Sequence, residues 1–288
     1  APDLLKERGV AHFDAWAANF AEAVTALELS PDGSGYRMHT RFAKFINLPE
    51  LLSMFRSFAD VQTADMLKLP APSIAGGKPH IVAAPASDTL KSYIKTLCAR
   101  AEQLRQGRVD PTEDNMVKIT RDGRKAALDM RLIDETIDSH NDTKTTHAID
   151  RIHAIWKRTG EERGTQLVFC DLSTPNTDRF NVYHDVRDRL VAAGIPIEEI
   201  AFIHDADSDA DKKILFDAVN AGKKRILIGS TEKMGAGTNV QKRLAALHHL
   251  DAPWRPRDIE QREGRILRQG NTNKEVDIYR YVTEGSFD

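Results

Sequence analysis

Between positions 261 and 270 the chain reads Gln-Arg-Glu-Gly-Arg-Ile-Leu-Arg-Gln-Gly, with Gln261, Arg265 and Arg268 standing four and then three residues apart. On a helix this spacing brings all three to one face. An amide and two guanidinium forks on a common face suit a polyanion such as a nucleoside triphosphate, because arginine offers planar, bidentate donors that stay charged. The sequence predicts that helix over 256–269. Pro256 can open it without losing a hydrogen bond, Asp258 complements the first turn, and Gly270 can take the left-handed stop. The alternative on these residues alone is a solvated helix in which Glu260 and Glu263 pair with the arginines.

Upstream, Ser230-Thr231-Glu232-Lys233-Met234-Gly235-Ala236-Gly237-Thr238-Asn239-Val240 follows a strand-like run. Alternating glycines there let backbone amides approach phosphates, and Ser230, Thr231 and Thr238 add hydroxyls. A dinucleotide-binding turn is the rival reading. It fails because Val240 occupies the third glycine position and the glycines lie too far past the strand. Next comes Asp251-Ala252-Pro253-Trp254-Arg255-Pro256. Here Trp254 reads as a buried anchor and Asp251 as a residue that caps or orients neighbouring backbone, roles that would aim the arginines.

The elements that must position these residues are legible over 145–288. Short β-rich runs at 166–172, 200–206, 225–231, 246–252 and 277–283 alternate with helical segments at 179–194, 209–221 and 256–269. That order predicts an α/β fold, a parallel sheet with helices on both faces, and the near-continuous apolar strands fit a doubly covered sheet. Ligands then bind where the carboxyl ends of strands emerge, after 231 and after 252. Residues 1–140 read as a mostly helical region, with helices at 12–28, 49–58, 86–107 and 123–137. They are broken by Pro-Asp-Gly-Ser-Gly at 31–35 and the Pro/Gly-rich stretch 69–79, and His80–Ala84 reads as a short strand. The polar segment 138–144 is the expected boundary, giving domains 1–140 and 141–288.

Composition narrows the classes. A net charge of −2 excludes a globally basic nucleic-acid binder but leaves the local strip Arg255, Arg257, Arg262, Arg265 and Arg268. Cys98 and Cys170 are too few for a disulfide framework or a four-cysteine zinc site, which fits a reducing cytoplasm. No apolar run approaches membrane-spanning length. The chain opens without methionine and stops just after a strand-like run, as a piece of something longer would. No metal site is expected. The acidic run 205–211 has Ala210 and Phe216 where a calcium loop needs Gly and Glu, and His248 and His249 point to opposite faces of a strand.

Taken in order, Ser-Thr-x-x-x-Gly-x-Gly-x-Asn at 230–239, Asp-x-x-Trp-x-Pro at 251–256 and Gln-x-x-Gly-Arg-x-x-Arg-x-Gly at 261–270 resemble motifs V and VI of superfamily-2 helicases. The Trp-x-Pro spacing resembles the Swi/Snf-like branch, the double-stranded-DNA translocases. The run 166–172 resembles the strand of motif IV, and Lys144 stands where that branch often carries Ser-Gly-Lys. The resemblance covers the second half of the chain. In the first half it extends only to Lys78-Pro-His-Ile-Val and the helix after it. With Tyr-Arg-Tyr-Val-Thr-Glu-Gly at 279–285, the chain also resembles the helicase-like portion of large phage and plasmid proteins fused to adenine methylases.

The resemblance implies a second RecA-like lobe that shares ATP and Mg²⁺ with a first lobe and acts on double-stranded DNA. Arg268 would be the arginine finger, Arg265 its neighbour at the phosphates, and Gln261 would position nucleotide or attacking water. Gly235, Gly237, Asn239 and Asp251 would lie at the nucleotide, with Ser230, Thr231 and Thr238 at the nucleic acid. A motor of this type also needs a phosphate loop and an acidic pair for Mg²⁺. Gly76-Gly77-Lys78 and Gly222-Lys223-Lys224 are not such loops, so the first lobe is expected upstream and this piece alone is expected to be inactive. The rival function is a non-catalytic docking module on the same fold. A small-molecule enzyme lacks its glycine fingerprint and a catalytic pair.

Overall fold

The computed structural model describes residues 2–29, 36–62, 66, 70–110, 112–138, 142–175, 179–235 and 237–288. The chain divides into two compact units. One comprises Ala1–Leu69 with Ala101–Val117, the other Pro70–Arg100 with Lys118–Asp288.

In the smaller unit, helices Pro2–Glu7 and Phe13–Phe20 precede an antiparallel pair, β1 (Ala21–Leu29) and β2 (Tyr36–Phe45), and then helix Leu48–Arg56. The helix expected over 12–28 therefore stops at Phe20. Ala-Glu-Ala-Val-Thr-Ala-Leu-Glu-Leu has fair helical propensity, but pairing with β2 overrides it. Glu22 stands opposite Lys44, and the Thr25 and Thr40 hydroxyls meet at 2.8 Å. The predicted break at 31–35 lies outside the described residues. Val10, Phe20 and Met54 form the local core.

The larger unit holds a sheet of seven strands: β3 (Ser73–Ile74), β4 (His80–Ala84), β5 (Thr165–Phe169), β6 (Ile200–Phe202), β7 (Ile226–Gly229), β8 (Leu244–His249) and β9 (Glu275–Thr283). The order is β3-β9-β8-β5-β7-β6, β4 also pairs with β9, and every pairing is parallel. Ser73–Ile74 and His80–Ala84 thus belong to the sheet, and the polar segment 138–144 falls inside this unit; its residues 139–141 lie outside the described ones. The helix expected over 123–137 runs from Met116 to Leu128. It gives way to a turn in which Asp129 accepts from the Arg131 amide at 2.9 Å.

Helices cover both faces. On one, Ile149, Ile152 and Ile155 of helix Lys144–Arg158 and Val186 and Leu190 of helix Val182–Ala192 pack on Val168, Ile226 and Ile228. On the other, Val219 of helix Asp209–Asn220, Met234 and Ile266 pack on Leu167, Phe169, Leu227 and Leu247. Adjacent residues of one strand go to opposite faces, as the two-residue period demands. The histidine pair obeys the same rule. His248 bonds Tyr281 OH at 2.8 Å and Gln166 Oε1 at 3.0 Å, while His249 stacks on Phe169. Among the described residues no helix is long and apolar enough to cross a membrane.

Candidate nucleotide and nucleic-acid site

Because β5, β7 and β8 are parallel neighbours, their carboxyl ends emerge on one edge, and each is followed by a polar residue: Asp171, Ser230-Thr231 and Asp251. Asp251 is 1% exposed. Its Oδ2 accepts the amides of Asp171 at 2.6 Å and Leu172 at 2.8 Å. Asp171 in turn accepts the Thr231 amide at 2.6 Å and the Thr231 hydroxyl at 2.8 Å. Into this knot comes Arg262, whose side chain is 0% exposed. Its Nε donates to Thr231 Oγ1 at 2.7 Å and its Nη1 to the Asp251 carbonyl at 2.9 Å. Its Nη2 reaches Asp171 Oδ2 at 2.7 Å and Asp251 Oδ1 at 3.1 Å. A buried charge is tolerated only with such complete pairing. Sequence reading counts Arg262 in a basic strip. The signal for its burial was the pair of aspartates that directly follow apolar strands.

The arginine helix begins at Pro256 as expected but ends at Glu263, with Gly264 at its cap. The amides of Arg265 and Ile266 donate to the Arg262 and Glu263 carbonyls at 3.1 Å, three residues back, so the backbone tightens into successive turns. Gly264 weakens the helix there. Glu263 is held by Arg280 at 2.6 Å and lies 3.3 Å from His249, and Ile266 is buried in the second core. Gln261, Arg265 and Arg268 therefore do not share one helix face. Gly270 has φ +87° but lies well past the helix end instead of stopping it.

The residues fall into two groups. Gln261 is exposed and lines a cleft with Ser230, Thr231, Arg255 and Arg257. Arg268 is exposed beside the other loop, where its Nη1 donates to Asn239 Oδ1 at 2.7 Å. Arg265 is half-buried. Its Nε is buried without a hydrogen-bond partner among the described residues, and burial, then the charge of Arg268, push its guanidinium below its ordinary value. The glycine-bearing segment is not wholly a loop: Thr231–Gly235 form a short helix, and Ala236 lies outside the described residues. Gly237 has φ +72° and open space where a side chain would stand.

Several expected contacts are committed internally. Thr231 spends its hydroxyl on Asp171 and Arg262, and Asp251 spends both oxygens on the loops and Arg262; the hydroxyl accepts from the buried Nε, and the carboxylates of Asp171 and Asp251 supply the counter-charge. Thr238 is 1% exposed, and its hydroxyl has no partner among the described residues. Ser230 is buried and accepts the Lys233 amide at 3.3 Å. Trp254 is no buried anchor: it is 67% exposed, with the Arg124 guanidinium 4.6 Å over its ring and Arg124 donating to the Ala252 carbonyl. Lys144 is wholly buried and donates to Asp288.

Residues 144–270 match the family model described as the helicase conserved C-terminal domain. Over 96 residues the chain is 30% identical to "Defense against restriction protein B" of Escherichia phage P1, a match that covers 27% of this chain and 4% of that protein's length. The fold is similar to the crystal structure of the C-terminal part of the Fun30 ATPase domain. There the TM-score is 0.49 and the identity 16%, over 75% of this chain and 87% of that one.

Proposed function

We propose that this chain, whose residues 144–270 match the helicase conserved C-terminal domain, is the second motor lobe of an ATP-dependent DNA translocase. It would contribute Arg265 and Arg268 to a triphosphate whose main cradle belongs to a first lobe. The observation that carries the reading is the state of those two arginines. Arg262 and Arg280 nearby are paired with carboxylates, whereas Arg265 and Arg268 have none among the described residues. A buried Nε without an acceptor costs on the order of 1–3 kcal/mol, and two adjacent cations repel. An oxyanion would remove both penalties. Gly237, two residues before Asn239, has open space where a side chain would stand.

When bound, ATP would supply the transferable phosphoryl group and its Mg²⁺ would neutralise charge on the phosphates. Among the described residues no cluster of three or more His, Cys, Asp or Glu could hold a metal ion, so the Mg²⁺ would take its ligands from the triphosphate and the first lobe. Arg268 would stabilise charge on the phosphates, and Arg265 would hold the neighbouring oxygens. Gln261, which would position nucleotide or attacking water, lines a cleft in which Arg255 and Arg257 stand with Asp171, Glu232 and Asp258.

The test uses the intact protein with its first lobe. Arg268→Ala lowers DNA-stimulated ATP turnover on the order of 10³-fold. Unchanged turnover would favour a docking module on the same fold. Robust ATP hydrolysis by residues 1–288 alone would also overturn the reading.

A further inference from the structure

The seven-stranded sheet ends on one side in β6, three residues long between the short turns Ile197–Glu199 and Ile203–Asp205. The other edge is less guarded. β4 pairs with β9 along His80–Ala84, and no strand lies on its outer side among the described residues. The Ala84 carbonyl accepts the Glu284 amide at 2.9 Å, which sets the phase of the ladder. Backbone groups of alternate residues point to alternate sides of a strand, so His80, Val82 and Ala84 bond β9. Ile81 and Ala83 then turn both N–H and C=O outward, and both residues are exposed, Ile81 by 71%. The strand carries no Asp, Glu, Lys or Arg, so the usual charged guard of an open edge is missing.

We propose that this edge pairs antiparallel with β4 of a second copy of the chain, about a two-fold axis at Val82. In that register Ile81 of each copy stands opposite Ala83 of the other, and the two residues exchange N–H···O bonds in both directions. A large side chain meets a small one on one face, Val82 meets its own copy on the other, and no like charges oppose each other. The flanking prolines reject the neighbouring registers. With Ile81 opposite Ile81, Ala83 would face Pro79; with Ala83 opposite Ala83, Ile81 would face Pro85, and neither proline has an N–H to give. A two-fold contact of this kind closes on itself, so the product is a dimer and not a fibre. Five residues at roughly 3.3 Å each make a short seam, well below a standard protein interface, so the dimer is weak and forms at high micromolar concentration. The pairing goes beyond the motor-lobe reading and does not depend on it.

Sedimentation of this chain from low to high micromolar concentration tests the pairing. The weight-average mass is expected to rise toward about twofold the monomer value along a monomer–dimer curve. Amide exchange at Ile81 and Ala83 slows over the same range, while Val82, bonded to β9 already, does not change. Ile81→Lys places a charged guard on the edge and weakens association by about tenfold or more. Ala83→Pro removes an outward N–H that β9 does not use, so the fold is kept and the dimer is lost. A monomer at every concentration, or wild-type association in either variant, would overturn the proposal. Growth past the dimer would do the same, since an open series means that the two-fold register is wrong. Should one variant fail to fold, the other decides.

Discussion

Arg268 and Asn239, twenty-nine residues apart, are joined by a 2.7 Å hydrogen bond from Nη1 to Oδ1. The Asn239 carbonyl also accepts from Asn220 Nδ2 at 2.7 Å, which ties this anchor to the end of helix Asp209–Asn220. The exposed arginine is thus held by a rigid element instead of swinging in solvent. Asn239→Ala removes one exposed bond worth about 1 kcal/mol, so the melting temperature of this chain is expected to move by no more than about 4 °C. In the intact protein the same change lowers ATP turnover by about tenfold through loss of orientation. Steady-state kinetics equal to wild type would show that the bond does not position Arg268.

Arg262→Met tests the buried knot by itself. It leaves Asp171 and Asp251 without their counter-ion, and the expected loss is about 3–5 kcal/mol in urea unfolding. A loss below about 1 kcal/mol, the range of exposed ion pairs, would mean that water reaches the two carboxylates.

His248 makes stability depend on pH. Burial, followed by the charge of His249, depresses its pKa from the usual 6.5 to about 3. The folded state therefore binds fewer protons than the unfolded state between those values. Its contribution is complete above about pH 6.5 and is lost progressively as pH falls toward 3, at about 1.4 kcal/mol per pH unit. In His248→Gln the slope of unfolding free energy between about pH 6 and pH 4 should be shallower by that amount. An unchanged slope would exclude His248 as the proton acceptor.

Leu167→Ala opens a cavity at the centre of β5, where Leu167 is fully buried against the second face. The expected cost is about 2–5 kcal/mol. Trp254→Ala, at an exposed ring, forfeits only the contact with Arg124, about 0.5–1 kcal/mol. Denaturant midpoints of the two variants measure the contrast.

The sheet of the larger unit was legible because doubly covered strands leave runs such as Leu-Val-Phe and Ile-Leu-Ile, which nothing polar interrupts. The loops at their carboxyl ends followed from the same order. The hairpin β1–β2 was not legible, since its first strand carries helix-favouring residues and is held by a partner further along the chain. β3 is two residues long, too short for any period. Within the site, the three-and-four spacing of Gln261, Arg265 and Arg268 pointed to a helix face that Gly264 and the tether on Glu263 do not allow. Arg262 looked like one cation among several, because burial of a charge depends on carboxylates 11 and 91 residues away.

β9 takes its neighbour on one side from β8, the strand just before it in the chain with helix Pro256–Glu263 between them, and on the other from β3 and β4, some 200 residues earlier in the chain. Two of the seven strands therefore emerge from the ribosome long before the strand they bind. Until synthesis reaches residues 275–283 they have no partner to pair with, and closing so large a loop is slow. The nascent chain must keep Ser73–Ile74 and His80–Ala84 from pairing elsewhere during that wait. Nascent-chain length, more than composition, sets when this edge of the sheet can first form.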